Sequence, residues 1–312
     1  MQITPAAIEA MFYVFDARFS TAYANQETWW QKLATEVPSS TRENRYPWMN
    51  KIPRLREWIG ERRVNNVAAQ AYAIQNKDWE LTVEVDKNDI ADDQLGQFSQ
   101  LLDMIGAQAK KWPDNMLVSA MQAGTATLCW DGQYFFDTDH PVDITGQFSS
   151  GTWSNNFTSR TLNAVNFEYV RGQMGALLGE DGYSMGIVPT ALIVPPQLEG
   201  TAKNILNAEF IAPTSALLGN AANVMQSNTN KGAATLIVIP ELANEATTWY
   251  VADLSKPLKP FIFQLRQPNR GITALTGEKD ENVFWRRKYI YGVDTRGNAG
   301  FTLPTLIARA IA

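Results

Sequence analysis

Few residues of this chain are equipped for chemistry. Phe136-Asp137-Thr138-Asp139-His140-Pro141 gathers two carboxylates and the one histidine of the sequence into a single run. Asp137 and Asp139 would serve as an acid–base pair, or would join His140 on a metal ion. The plainer use of Asp and His ahead of a proline is to fix a turn through bonds to nearby backbone groups. Asp86, Asp89, Asp92 and Asp93 form a second acidic group. Calcium ligation is one reading of it, and stabilisation of a helix N-terminus the more ordinary one. A single cysteine, Cys129, excludes an internal disulfide and a Cys-rich zinc site. The motifs GxxxxGK(S/T), GxGxxG, HExxH, GxSxG and CxxC do not occur. No catalytic, cofactor or metal site is therefore expected.

What remains is an interaction site. From Arg42 to Arg63, seven cations (Arg42, Arg45, Lys51, Arg54, Arg56, Arg62 and Arg63) meet three carboxylates (Glu43, Glu57 and Glu61). The strip carries +4 on a chain of net −5, which leaves −9 elsewhere. Tyr46, Trp48 and Trp58 are interleaved with the cations, Pro47 and Pro53 punctuate the run, and Asn65-Asn66 follows. Stacking aromatics between cations suit single-stranded nucleic acid. Trp, Tyr and Arg are equally the anchors of protein interfaces, and a basic strip complements the acidic remainder of an identical copy. A solvated basic loop is the bland alternative. The acidic total argues against a protein whose main task is gripping DNA.

The elements that position these residues are legible in outline. With 312 residues, 45% apolar and 19% charged, the chain has the composition of a globular protein. The first residues lack a basic leader, Glu9 interrupts their apolar part, and no stretch approaches the roughly 18 apolar residues of a membrane span. A soluble protein made in the cytoplasm is expected. Thr4 and Pro5 open a short amphipathic helix with Ile8, Phe12, Phe15 and Phe19 on one stripe. Trp79, Leu81, Val83 and Val85 alternate with polar residues as a half-buried strand, and Val67–Ile74 is read as its antiparallel partner. The strongest helix signal runs from Asp92 to Lys111, about 30 Å, along Leu95, Phe98, Leu101, Leu102, Ile105, Ala109 and Trp112. Pro113 is expected to kink or end it and to open a second helix that stops at Gly124. Residues 131–160 read as loops with short strands, and 166–178 as a helix. Ala191–Val194, Leu236–Ile239 and Trp249–Val251 suit buried strands. Pro196 opens a helix with Leu198, Ala202, Ile205 and Leu206 on one face. Phe261–Leu265 and Val283–Val293 read as later strands, the latter with Arg286, Arg287 and Lys288 at its centre.

In the order of its motifs the chain resembles the major head (capsid) subunit family of Mu-like tailed phages, a branch of the Hong Kong 97-type capsid fold. The resemblance covers nearly the whole length. It rests on YPWMNKIPRLREWIGERR from Tyr46 to Arg63, on DIADDQ from Asp89, and on Phe136–Pro141. PTALIVPP from Pro189, WYVAD from Trp249 and YGVDTRG from Tyr291 continue it. It implies an α+β fold with an N-terminal arm over 1–45 and an extended β-hairpin, the E-loop, over 46–80. A peripheral domain (81–185) would carry a long spine helix at 92–111. An axial domain would span 186–290, and 291–312 would return to the peripheral domain.

The resemblance further implies a non-enzymatic subunit of hexamers and pentamers in an icosahedral shell. That shell would be assembled in the host cytoplasm, away from any membrane, and would enclose double-stranded DNA non-specifically. Tyr46, Trp48, Lys51, Arg54, Arg56, Trp58, Arg62 and Arg63 become contacts between subunits. A helix starting at residue 4 leaves no room for a fused scaffolding segment, so a separate scaffold, a separate maturation protease and a portal protein are the expected partners. Lys51 and Lys77 are available for the Lys–Asn cross-link of the fold's type member, but no sequence feature carries that chemistry over.

Overall fold

The computed structural model describes residues 5–47, 71–92, 97–142, 151–179, 182–211 and 226–312. Helix α1 (Pro5–Asn25) and a single turn, α2 (Trp30–Leu33), come first. Strands β1 (Ala34–Pro38), β2 (Glu43–Pro47), β3 (Ala71–Gln75) and β4 (Lys77–Asp86) follow, then helices α3 (Lys87–Asp92) and α4 (Gln97–Ala123). The Gly/Ser/Asn-rich middle forms loops with the expected short strands, β5 (His140–Pro141), β6 (Thr152–Trp153) and β7 (Asn156–Phe157), ahead of α5 (Ala164–Gly175). Then come β8 (Ala191–Val194), α6 (Glu199–Asn207), β9 (Phe210–Ile211), β10 (Gln226–Ser227), β11 (Thr235–Val238) and β12 (Thr248–Ala252). Strands β13 (Phe261–Gln267) and β14 (Thr273–Leu275), helix α7 (Glu281–Arg286), and strands β15 (Lys288–Phe301) and β16 (Ile307–Ile311) complete the order.

Two five-stranded sheets organise these elements. In the first, the long β15 pairs β4 along one edge and β13 and then β14 along the other, all antiparallel, and β1 joins β13 in parallel. The period-two pattern explains β4: Val85 is buried while Glu80, Thr82 and Glu84 are exposed. Helices α1 and α4 cover this sheet, with Phe15, Phe19, Leu102 and Ile105 packed against Val85, Tyr289, Tyr291 and Val293. The helices cross at Gly106, where a Cβ would stand 2.6 Å from the Phe19 carbonyl oxygen.

The second sheet runs β11-β8-β12-β16-β7. Its central strands are buried on both faces, which is why they read as unbroken apolar runs. Leu192, Val194, Trp249 and Val251 pack with Phe167, Val170, Ala202 and Ile205 of α5 and α6. Ala191, Ile193, Tyr250 and Ile307 face the other way, into the core shared with Leu117 and Met121 of α4 and with Phe261 and Phe301 of the first sheet.

The structure corrects four expectations. Ala71–Gln75 does not pair with the Trp79–Val85 strand; its partner is β2, and β4 goes instead to β15. The long helix does not end at Pro113, which lies inside the 27 residues of α4. An interior proline costs about 3 kcal/mol, whereas each buried Leu, Ile or Met contributes about 1.5–3 kcal/mol. Leu102, Ile105, Leu117 and Met121 on the two sides of it outweigh the loss. Asp89 and Asp92, expected at the opening of that helix, lie in α3, and α4 is described from Gln97. Finally, the strand expected over Val283–Val293 begins only at Lys288: α7 precedes it, and Arg287 turns the chain at φ 55°.

Candidate subunit interface

Of the basic strip, the stretch from Arg42 to Pro47 lies within the described residues. Trp48, Lys51, Arg54, Arg56, Trp58, Arg62 and Arg63 lie outside them. What the structure defines is the root from which they depart. Strands β2 and β3 pair from Glu43↔Gln75 to Pro47↔Ala71, so 48–70 join two antiparallel strands. Arg45 is exposed and its Nε donates to Glu43 Oε1 at 3.0 Å.

Buried amides bolt the root to the body. Tyr46 Oη donates to Gln264 Oε1 at 2.8 Å, and burial pushes the Tyr46 hydroxyl pKa up. Gln264 Nε2 donates to Asn76 Oδ1 at 2.7 Å and to the Ile74 carbonyl at 3.2 Å. Asn76 Nδ2 donates onward to Ser39 Oγ and the Thr41 carbonyl, and its backbone N–H to the Arg42 carbonyl. Gln264 and Asn76 are buried, so each broken bond would strand a desolvated polar group, at about 1–3 kcal/mol. Below the root, Ile74 and Tyr72 fit over Gly300, where a Cβ would stand 2.4 Å from Ile74 Cδ1.

The candidate chemical run serves structure. Asp137 accepts from the Tyr134 and Thr138 backbone N–H groups, a turn-fixing role, and Asp139 is exposed. His140 is buried and pairs with neither: Nδ1 lies 2.7 Å from Asp131 Oδ2 and Nε2 3.2 Å from Asn155 Oδ1. Asn155 Nδ2 donates to the Phe135, Pro304 and Ile307 carbonyls, tying this loop to the residues before β16. No group of three or more metal-ligating side chains occurs among the described residues. No helix among them is long and apolar enough to cross a membrane.

Sequence reasoning missed one exposed feature. Phe284 and Trp285 of α7 are 68% and 77% exposed, edge to face, beside exposed Arg286 and Arg287. The adjacent aromatics were a visible signal, hidden by reading the segment as a strand.

Comparison with known proteins follows the same lines. The family model described as the Mu-like prophage major head subunit gpT matches residues 8–160, 148–242 and 241–311. The chain is 29% identical over 299 residues to the Mu-like prophage FluMu major head subunit of Haemophilus influenzae, covering 96% of this chain and 71% of that one. It is 26% identical over 301 residues to the major capsid protein of Escherichia phage Mu, covering 96% and 72%. Among solved structures it is similar to a chain of the procapsid of bacteriophage JBD30, with TM-score 0.62 and 31% identity over 99% of this chain and 76% of that one.

Proposed function

The chain belongs to the Mu-like prophage major head subunit family, a structural family of phage capsid proteins, and we propose that its hairpin rooted at β2 and β3 is the arm by which one subunit holds the next. The fold is the Hong Kong 97-type capsid fold, and the protein is a major capsid subunit that multimerises into the shell of a phage head. Carboxylate catalysis has no place in such a subunit. A single-stranded nucleic-acid function for the strip finds no support among relatives that are capsid subunits.

In this proposal the first sheet with α1 and α4 forms the peripheral domain and the second sheet with α5 and α6 the axial domain, which moves α1, β1, α5, β7, β13, β14 and β16 across the bounds that the resemblance implied. Hexamers and pentamers assemble in the host cytoplasm on a separate scaffold, with a separate protease, a portal and packaged double-stranded DNA as partners. The observation that carries the arm is its root: an antiparallel pair anchored by Gln264 and Asn76, leading into the most basic and aromatic stretch of an acidic chain.

The test is the triple replacement of Arg54, Arg56 and Trp58 by Ala. Negative-stain microscopy of the variant, expressed with the head-assembly proteins of its phage, should show no shells or rings, while the monomer melts within about 2 °C of wild type. Normal shells from this variant would refute the arm.

A further inference from the structure

The one histidine of the chain has a protonation state that its neighbours dictate. The His140 and Asp131 side chains are 0% and 2% exposed, with Nδ1 2.7 Å from Asp131 Oδ2. Across the ring, Nε2 lies 3.2 Å from Asn155 Oδ1. A neutral imidazole has one N–H and one bare nitrogen, so it can donate to only one of these oxygens.

The Asn155 amide cannot turn over to relieve this. Its Nδ2 already donates to the Phe135, Pro304 and Ile307 carbonyls at 2.8, 3.0 and 3.3 Å. Its Oδ1 accepts from the Asp137 backbone N–H at 2.9 Å. A reversed amide would set its NH2 against that N–H and its oxygen against three carbonyls. Oδ1 therefore meets Nε2 as an acceptor, and Nε2 carries a proton. Asp131 Oδ1 accepts from the Gln133 backbone N–H at 3.1 Å, which leaves Oδ2 to accept from Nδ1. Trp153 stacks on the ring, with centroids 4.4 Å apart and planes 18° from parallel. An indole face attracts a cation.

The other titratable groups around the ring are otherwise engaged. Burial first, and the Asp131 charge second, keep Cys129 a neutral thiol. Asp137 accepts from the Tyr134 and Thr138 N–H groups, and Asp139 is exposed. On the second sheet, Arg309 donates to Asn156 Oδ1.

We propose that His140 is a buried imidazolium paired with Asp131, and that its protons lock the loop after α4 to the start of β16. The lock runs through Asn155. Its backbone N–H donates to the Asp137 carbonyl, and its own carbonyl accepts from the Arg309 N–H of β16. A ring that has lost either proton turns a lone pair on an oxygen at 2.7 or 3.2 Å, and the buried contact repels. The sign follows: an unfolded histidine gives up its proton near pH 6.5, about where the lock's contribution to stability is still complete. That contribution is lost as the pH rises beyond this and the folded ring deprotonates. The latch lies in the body of the subunit and is independent of the arm.

A single histidine makes the test direct, since isotopic labelling of histidine marks one ring. Nitrogen NMR of the full unassembled chain is recorded at about pH 8, where an exposed histidine is neutral. Two protonated ring nitrogens are the expected result. One bare, pyridine-type nitrogen would overturn the proposal. Asp131→Asn supplies an amide that can donate to Nδ1, so its ring should turn neutral, with the proton on Nε2 alone. A ring still doubly protonated in that variant would overturn the pairing.

Hydrogen exchange reads the lock itself. His140→Gln can serve only one of the two oxygens, so the Asp137, Asn155 and Arg309 amides should exchange at least tenfold faster while those of α4 stay unchanged. Unaltered protection at these three amides would overturn the lock. Should His140→Gln fail to fold, the wild-type chain decides. Its same three amides, corrected for intrinsic exchange, should lose protection before α4 does as the pH is raised, and loss in step with α4 would refute the latch.

Discussion

At the scale of single residues, Asp114 shows how a carboxylate can join two helices. It is 1% exposed on α4, and its Oδ1 accepts from the Trp29 and Trp30 backbone N–H groups at 3.1 and 2.9 Å, closing the open end of α2. Burial raises its pKa from 3.8 to about 6; Glu241 adds to the rise, while the two N–H groups and Lys111 oppose it. The folded chain therefore binds this proton more tightly than the unfolded chain does. Its contribution to stability grows as pH falls from about 7 through 6 toward 4, the reverse of an ordinary ion-paired carboxylate. Asp114→Asn keeps an acceptor oxygen and removes the titration, so the melting temperature of the variant should vary less with pH between 4 and 7. Asp114→Ala should cost about 1–3 kcal/mol in chemical denaturation, since two helix N–H groups lose their acceptor. None of this was legible in the sequence, because the two N–H groups lie 85 and 84 positions away from Asp114. The turn role of Asp137 was legible because its bonds are local. The partner of His140 was not: Asp131 and Asn155 come to the ring only when the loop closes.

At the scale of elements, the periodic patterns placed α1, β4, α5, α6 and the buried strands close to where they form. Pairing was not legible. A period of two says that Trp79–Val85 is a strand, but not that its partner is β15, more than two hundred positions away. The root of the hairpin shows the same limit, since its anchoring amide, Gln264, comes from another distant strand. Close approach is equally silent: Gly106 sits in a helical stripe like any small residue until α1 crosses it. Gly106→Val should force the helices apart, because the added Cβ meets a backbone carbonyl and no flexible side chain. A loss of about 1–3 kcal/mol is expected in urea unfolding of the monomer. An unchanged midpoint would mean that α1 slides along α4 at little cost.

At the scale of the whole molecule, the separation of charge is the property that assembly would use on the proposed arm reading. On that reading, a strip of +4 against a remainder of −9 would draw copies together over a distance set by salt. The screening length is about 10 Å at 0.1 M and about 3 Å at 1 M. The rate of shell formation followed by light scattering should therefore fall steeply between these salt concentrations; an unchanged rate would show that apolar contacts alone drive assembly. The fold class was legible from motif order, whereas the position of the sheets was not. That position has a consequence for how the protein is made. Strand β4 lacks its partner, and the hairpin root its anchors, until Gln264 and then residues 288–301 have been synthesised. At ribosomal rates of about 5–20 residues per second, the first sheet waits about 10–40 s for its central strand. During that interval the root formed by β2 and β3 lacks the amide that ties it to the body. On the proposed arm reading, a chain would hold a neighbour only after its own Gln264 and β15 are in place, near the end of its synthesis.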